Sequence, residues 1–452
     1  MAALQQHVAA IKRAYYALDS TSLHCCFRLD LRTYQTLKAD LLRNPGRDLA
    51  AWTLQQIPVS GSSIDSDRFQ TLVADLLAYV RDFPHPAQIS AIAGATFDNA
   101  EWDKAYDAWA MVYARASTFF SLPDTTWFVP NLRFFASSLV SLAMSVDQRL
   151  DPTRKRKTTD AAGRLSKSAG MAGNDRSQAT GADTKRAAVL MLSNLSFKAY
   201  FNLNNTRLCE TVLGSVENAL KLNRTSAAAN GLQDDTGEAC YSKADRVTYR
   251  YYLGRLRLFQ HNIRTASVHL RWAFDHCTVR KINNKRAILI PLVATYLILG
   301  RYPDETLLAS ANLQPYFSGM VRRLKAGDAS GTLAELDKNM DWFRVRGLYL
   351  ILREKLQISL WRNLARRCLA ISRSAAPVSS APPTLRLDLL LLAARLSWQD
   401  ASLELEDIEA VLASLIDQGY VKGYILHSKS MLVLQKGPHM GFPPIHSIFE
   451  VK

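Results

Sequence analysis

The sequence predicts an all-α helical-repeat solenoid followed by a C-terminal winged helix, and three observations carry that prediction. Apolar residues recur at helical spacing through most of the chain. Residues 251–277 read as two amphipathic helices joined by a short turn, with small residues where the two would touch. Near the end, "EDIEAVLASLIDQGYVKGYI" (406–425) passes from helical spacing to Gly419 and then to a strand-like alternation, the pattern of a helix feeding a β-ribbon.

At 452 residues, 48% of them hydrophobic, the chain has room for two or three domains with sizeable cores. The longest unbroken apolar runs, such as "LLLLAA" (389–394), fall well short of the ~20 residues a membrane span needs. The N-terminus is amphipathic without a secretory h-region and cleavage site, so a soluble intracellular protein with no membrane partner is expected. The six cysteines are scattered, with no CxxC pair to mark zinc or redox chemistry. Cys25 and Cys26, beside His24, read as buried helix positions, and no cofactor is expected.

Taken in order, residues 1–150 are N-terminal helical repeats. In "EWDKAYDAWAMVYARASTFF", Trp102, Tyr106, Trp109 and Tyr113 follow one another at spacings of four, three and four, the stripe of a packed helix. Residues 151–186 have almost no large apolar side chains and carry 9 basic and 4 acidic residues. Such a stretch cannot repay the entropy of ordering, so a disordered basic insertion is expected there. Its "RKRK" (154–157) suits a nuclear-import signal or a phosphate-attracting tether. Helical pattern resumes at Ala187. In 251–277, Leu253, Gly254, Ala266, Leu270 and Ala273 fall where a tetratricopeptide-like (TPR-like) repeat places its inter-helix contacts. A further helix ends at Gly300, with Pro303 beyond it as a stop. Residues 187–354 thus form a repeat region, whose extended surfaces suit binding more than chemistry. Residues 355–436 make the winged helix, with strands at 421–427 and 431–436 around "HSKS". The segment 437–452 is a Pro/Gly-rich tail that extends neither strand.

The formal charge of +16 is unevenly placed: residues 246–373 hold 23 Lys/Arg against 8 Asp/Glu. Basicity concentrated in this way predicts an anionic partner. Catalytic signatures are missing. There is no GxxxxGK[ST], HExxH, GxSxG or GxGxxG, and the adjacent His276 and Cys277 would point about 100° apart on a helix. The sequence therefore reads as that of a non-enzyme.

Several segments carry a family resemblance. "AYFNLNNTRLCETVL" (199–213), "DRVTYRYYLGRLRLF" (245–259), "WRNLARRC" (361–368) and "LEDIEAVLASLIDQGYVKGYI" (405–425) resemble the PCI-domain family. The likeness covers about 187–436. It is specific to the branch holding the mRNA-export PCI subunit of the TREX-2 complex and its fungal sibling, the signalosome-subunit-twelve-like PCI protein. It implies the PCI fold and no catalysis. It also implies pairing with a larger PCI scaffold subunit through the winged helix, and capture of a small acidic disordered peptide shared with the proteasome lid. RNA or double-stranded DNA would be bound during transcription-coupled mRNA export, in the nucleus and at its pores, with some protein in the cytoplasm. The second reading is a structural subunit of a signalosome-like assembly, its cations occupied by acidic proteins, with no direct nucleic-acid role.

The residues themselves suggest which face does what. The helix 406–418 buries Ile408, Val411, Leu412, Leu415 and Ile416 and presents Glu406, Asp407, Glu409, Ser414 and Asp417, carboxylates that phosphates repel. Base readout by this helix is not expected. In the helix before the Pro/Ser-rich connection at 374–384, Lys355, Arg362, Arg366 and Arg373 align within about 20° on a wheel of ~3.6 residues per turn, opposite Leu360, Leu364, Cys368 and Ile371. This cationic ridge is the first candidate for phosphate contact. Lys422, Lys429 and Lys436 on or beside the wing extend it, as do Arg280, Lys281, Lys285 and Arg286 in "RKINNKR". Contacts of this kind would be sequence-independent and salt-sensitive. Arg250, Arg257 and Arg264 recur at seven residues and form the candidate stripe for the acidic peptide.

Overall fold

A computed structural model of the chain describes residues 2–43, 45–57, 64–86, 99–374 and 382–448. They divide into two units, Met1–Tyr249 and Arg250–Lys452. The division falls inside one helix.

The first unit holds helices α1 (Ala2–Tyr16), α2 (Ser20–Arg28), α3 (Leu31–Leu42), α4 (Leu49–Gln56), α5 (Ile64–Asp82), α6 (Asn99–Phe120), α7 (Val129–Leu150), α8 (Arg156–Gly173), α9 (Val189–Asn202) and α10 (Cys209–Ala229), then the start of α11 (Lys243–Phe259). Asp19, Asp30 and Asp48 start α2, α3 and α4 by accepting hydrogen bonds from the first-turn amides, which have no helical partner of their own. All four aromatics of the α6 stripe, Trp102, Tyr106, Trp109 and Tyr113, are buried. Trp109 packs edge-on against Tyr79 and donates its indole N–H to Phe135 O. Helix α7 is apolar enough on average to pass for a membrane span, yet its apolar side lies in this core, with Leu132, Phe135, Leu139 and Val146 all buried. Cys26 is half-buried in α2, but Cys25 is exposed, contrary to the expectation for it.

Residues 151–186 are ordered, which corrects the expectation of a disordered insertion. Helix α8 buries Ala161, Ala162, Leu165, Ala169, Ala172 and Gly173, a stripe of small residues at helical spacing. Small side chains bury little area each, but they let helix backbones approach closely. A Cβ on Gly173 would stand 3.0 Å from Ser215 O in α10. The polar residues are also used. Buried Asp147 accepts from Lys157 N and Thr158 N and so caps α8 from the preceding helix, while Tyr106 and Tyr113 donate to Asp160 and Ser168. The connection to α9 closes over a fully buried Arg186, which donates to Asn223 Oδ1, Ser226 Oγ and the carbonyls of Asp175, Ser177 and Ala179. A charge that deep is tolerated because five acceptors replace its water. Within "RKRK", Lys157 pairs with Asp103 and Asp107, and Lys155 Nζ donates to Asn202 O, leaving Arg154 and Arg156 exposed.

The second unit continues α11 and adds α12 (Ile263–His276), α13 (Ile282–Ile298), α14 (Glu305–Ser310), α15 (Gln314–Ala326), α16 (Ala329–Lys338), α17 (Met340–Val345) and α18 (Tyr349–Ser374). Leu253, Ala266, Leu270 and Ala273 are buried at the predicted contact, and a Cβ on Gly254 would sit 2.6 Å from Leu270 Cγ. Helix α13 is buried along most of its circumference, as expected of a central helix, and Gly300 closes the turn after it at φ +69°.

The winged helix follows: β1 (Thr384–Arg386), α19 (Leu387–Trp398), α20 (Leu405–Asp417), β2 (Gly423–Leu426), β3 (Met431–Leu434) and α21 (Ile445–Ile448). The sheet order is β1-β3-β2, antiparallel throughout, with Leu385 opposite Leu432 and Ile425 opposite the same residue on the other side. The sequence reading did not contain β1. The 437–445 stretch is no loose tail. Phe442 and Ile445 belong to the winged-helix core, Lys422 N donates to Gly441 O at 2.7 Å, and Ile445 fills the space that a Cβ on Gly300 would occupy.

Candidate nucleic-acid interface

Helix α18 determines what the proposed cationic ridge can do, because it packs against two cores in succession. Leu352, Leu356 and Leu360 enter the core of the repeat helices, while Leu364, Ala365 and Leu369 enter the core of the winged helix. A wheel drawn for one buried face therefore misplaces residues near the changeover. Arg362 is one of them. It is 4% exposed, lies beside the Phe442 ring, and donates Nη2 to Phe442 O at 3.1 Å and to Pro443 O at 2.6 Å. Burial, followed by the like charge of Arg366, lowers its pKa to about 10, so it remains a cation at neutral pH. Its charge is met by backbone carbonyls of the 437–445 segment. Arg362 is thus a structural tie, which corrects its assignment to phosphate contact.

The rest of the ridge is uneven. Lys355 is half-buried and pairs with Glu354 at 2.9 Å. Arg366 is exposed, as is Arg367, which the sequence reading passed over, and neither forms a salt bridge among the described residues. Arg373 is partly exposed at the last turn of α18. Ile371, assigned to the buried side, is exposed.

The wing cations stand in solvent. Lys429 ends the short turn His427–Lys429 between β2 and β3, as its place at the tip implied. Lys422 and Lys436 line one shallow cleft of about 170 Å³ with His439 and the backbone of 437–443. Phe442 and Pro443, the acceptors of Arg362, line the same cleft. Arg366, one helical turn beyond Arg362 on α18, acts on it electrostatically. Among the described residues, no Asp or Glu lines this cleft.

On α20, Ile408, Leu412 and Leu415 are buried, and Val411 and Ile416 pack partly against the same core. Of its acids, Asp407 closes a capping box with Glu404, and Glu409 meets His427 at 2.9 Å. Its remaining exposed face is acidic. By contrast, α19 exposes Leu389, Leu392 and Leu396, a leucine stripe with nothing packed over it among the described residues.

The other candidates separate. Arg280 and Lys281 are exposed, whereas Lys285 lies 4.7 Å from the Phe274 ring and donates to Cys277 O. Arg286 donates to Ala311 O and Asn312 O, at the end of α14. Arg250 and Arg257 share a face. Both act on His269, whose pKa falls to about 4, through burial first and then through these two charges. Arg264 does not continue that stripe, because α11 ends at Phe259 and the turn through His261 redirects the chain. It instead acts electrostatically on Tyr420 of the winged helix. His276 stacks on Trp272 while Cys277 is buried, so this pair faces no common point. Among the described residues, no group of His, Cys, Asp or Glu is placed to hold a metal ion.

No family model matches the chain. Among known proteins it is similar to a PCI domain-containing protein of Schizosaccharomyces pombe, 32% identical over 372 residues, covering 79% of this chain and 79% of that protein. It is also similar to PCI domain-containing protein 2 of Danio rerio, 28% identical over 372 residues and covering 81% and 86% of the two chains. Enhanced ethylene response protein 5 of Arabidopsis thaliana is 31% identical over 270 residues, 59% of this chain and 60% of that one.

Proposed function

Since the chain belongs to the PCI-domain family, we propose that it is a non-catalytic scaffold subunit of a nuclear PCI complex that binds nucleic acid and couples transcription to mRNA export or mRNP packaging. The observation that carries this reading is the group of cations around the 437–443 segment. Lys422 and Lys436 share a cleft that no carboxylate lines among the described residues, and exposed Arg366 lies one turn beyond Arg362 on α18. Arg367 and Lys429 add further exposed cations to the winged-helix region. Groups of this kind hold a backbone through counterion release and read no bases. The acidic exposed side of α20 is consistent with that, since a major-groove helix would offer Arg, Lys, Asn or Gln.

Two protein partners complete the proposal. The leucine stripe on α19 is the seat for the larger PCI subunit, because exposed apolar side chains gathered on one helix face are what protein interfaces cover. Arg250 and Arg257 are the anchor for a small acidic disordered peptide.

The test is the nucleic-acid affinity of the partner-bound complex measured against salt. Replacing Arg366, Arg367, Lys422 and Lys436 with Glu should weaken binding to unrelated RNA and duplex sequences about equally and flatten the salt slope. Unchanged binding would leave the second reading, a structural subunit whose cations serve acidic proteins.

A further inference from the structure

A second set of guanidinium groups gathers on the repeat helices, and none of it belongs to the winged helix. A cleft of about 420 Å³ opens between α11, α13 and the turn after α17. Tyr251 and Arg255 line it from α11, Asn283 and Arg286 from α13, and Val345 and Arg346 from the end of α17. Among the described residues, none that lines it is Asp or Glu.

Arg286 and Arg346 are held in place by neutral groups. Arg286 donates Nε to Ala311 O at 2.7 Å and Nη2 to Asn312 O at 3.2 Å, which fixes the plane of its guanidinium. Arg346 lies 3.9 Å from the centre of the Trp342 ring and donates Nη1 to Trp342 O at 2.8 Å. Trp342 is itself clamped, stacked on Tyr316 at 3.9 Å. Arg255 lies over the Tyr251 and Phe259 rings and donates to Tyr251 Oη. Burial holds the Arg346 pKa below its usual value, and the charge of Arg286 pushes in the same direction. The two cations thus stand close enough to repel, and no acid lining the cleft relieves them.

We propose that this cleft is an anion site for a terminal phosphate, either a monoester or a diphosphate, seated between Arg286 and Arg346. Guanidinium forks match the oxygens of phosphate, and side chains already fixed by rings and carbonyls lose little freedom on binding. The shape also selects. A duplex presents its phosphates along a convex rod, whereas a recess between helices admits a small molecule or the end of a chain. A site of this volume is within the range that small ligands occupy. The inference is independent of the function proposed for the winged helix.

The experiment is calorimetric titration of the full chain with inorganic pyrophosphate in low-salt, sulfate-free buffer. One equivalent should bind. Val345→Glu places a carboxylate at the rim of the cleft on a residue that is 84% exposed. It should weaken binding at least tenfold without shifting the melting temperature. Arg346→Lys keeps the charge but loses the fork and should weaken binding several-fold. Arg366→Glu, on the winged helix, should leave it unchanged. Short single-stranded oligonucleotides with and without a 5′-phosphate then identify the source. Tighter binding of the phosphorylated one assigns the site to chain ends, and equal weak binding of both assigns it to free polyphosphates. Absence of pyrophosphate binding, wild-type affinity in Val345→Glu, or displacement by a poly-glutamate peptide at comparable concentration overturns the proposal.

Discussion

Arg362 offers the sharpest test, because helical spacing groups it with Arg366 while the structure gives the two different jobs. Truncation by Arg362→Ala removes charge-assisted hydrogen bonds to Phe442 O and Pro443 O, together with a longer one to Asn363 Oδ1. Each buried carbonyl left without a donor costs about 1–3 kcal/mol. Part of that is offset, because the folded protein no longer has to keep a guanidinium dehydrated. The net loss should be about 2–4 kcal/mol. Arg366→Ala, one helical turn further on and exposed, should stay within about 0.5 kcal/mol of the parent. Denaturant titration of the full-length protein gives both values, and hydrogen exchange over 437–448 shows where stability is lost. Arg362→Ala should speed exchange there first, since the 437–445 segment loses its anchor. An Arg362→Ala protein that is as stable as the parent, with its 437–448 amides equally protected, would refute the assignment of Arg362 as a tie.

Three further outcomes follow from the geometry. His85 is fully buried, its Nε2 lies 3.0 Å from Phe27 O, and burial lowers its pKa to about 4. The unfolded chain takes up this proton below about pH 6.5 and the folded one only near 4, so stability should be complete above 6.5 and fall as the pH drops toward 4. The slope from this one group is at most about 1.4 kcal/mol per pH unit, and His85→Phe should remove it from urea midpoints compared at pH 7 and 5. Gly254→Ala drives a methyl into Leu270 at the α11–α12 contact and should cost about 1–3 kcal/mol in thermal or denaturant unfolding, despite the better helix propensity of Ala. Leu392→Asp, at a site 59% exposed, should leave the melting temperature within a degree or two yet abolish co-purification of the larger PCI subunit on co-expression.

What could be read from the sequence was whatever a single periodicity decides. The α6 aromatic stripe, the Gly254–Leu270 contact and the buried side of α20 each need only one helix and one neighbour; the first two stand as read, and on α20 Ile408, Leu412 and Leu415 are buried while Val411 and Ile416 are partly so. Readings failed where a second neighbour mattered. Helix α18 changes cores between Leu360 and Leu364, so its wheel has no single outside, and Arg362 faces inward. Helix α8 was missed because its buried side is mostly Ala, Gly and small polar residues around a single Leu165, a pattern that a search for large apolar side chains ignores. The acceptors that let Arg186 be buried lie up to 40 residues away. The anion cleft draws on three separate helical segments, which no local pattern joins.

The 437–445 segment also sets a schedule for biosynthesis. Arg362 emerges from the ribosome some 80 residues before the carbonyls it will meet. Until Phe442 and Ile445 have cleared the exit tunnel, the nascent chain holds a guanidinium without its Phe442 and Pro443 acceptors and an unfilled apolar pocket at Gly300. A premature stop between Lys436 and Phe442 would therefore yield a polypeptide with all three strands of the winged helix present, yet without the carbonyls that hold Arg362 and without the Phe442 and Ile445 side chains of its core, and so a substrate for chaperones and proteases.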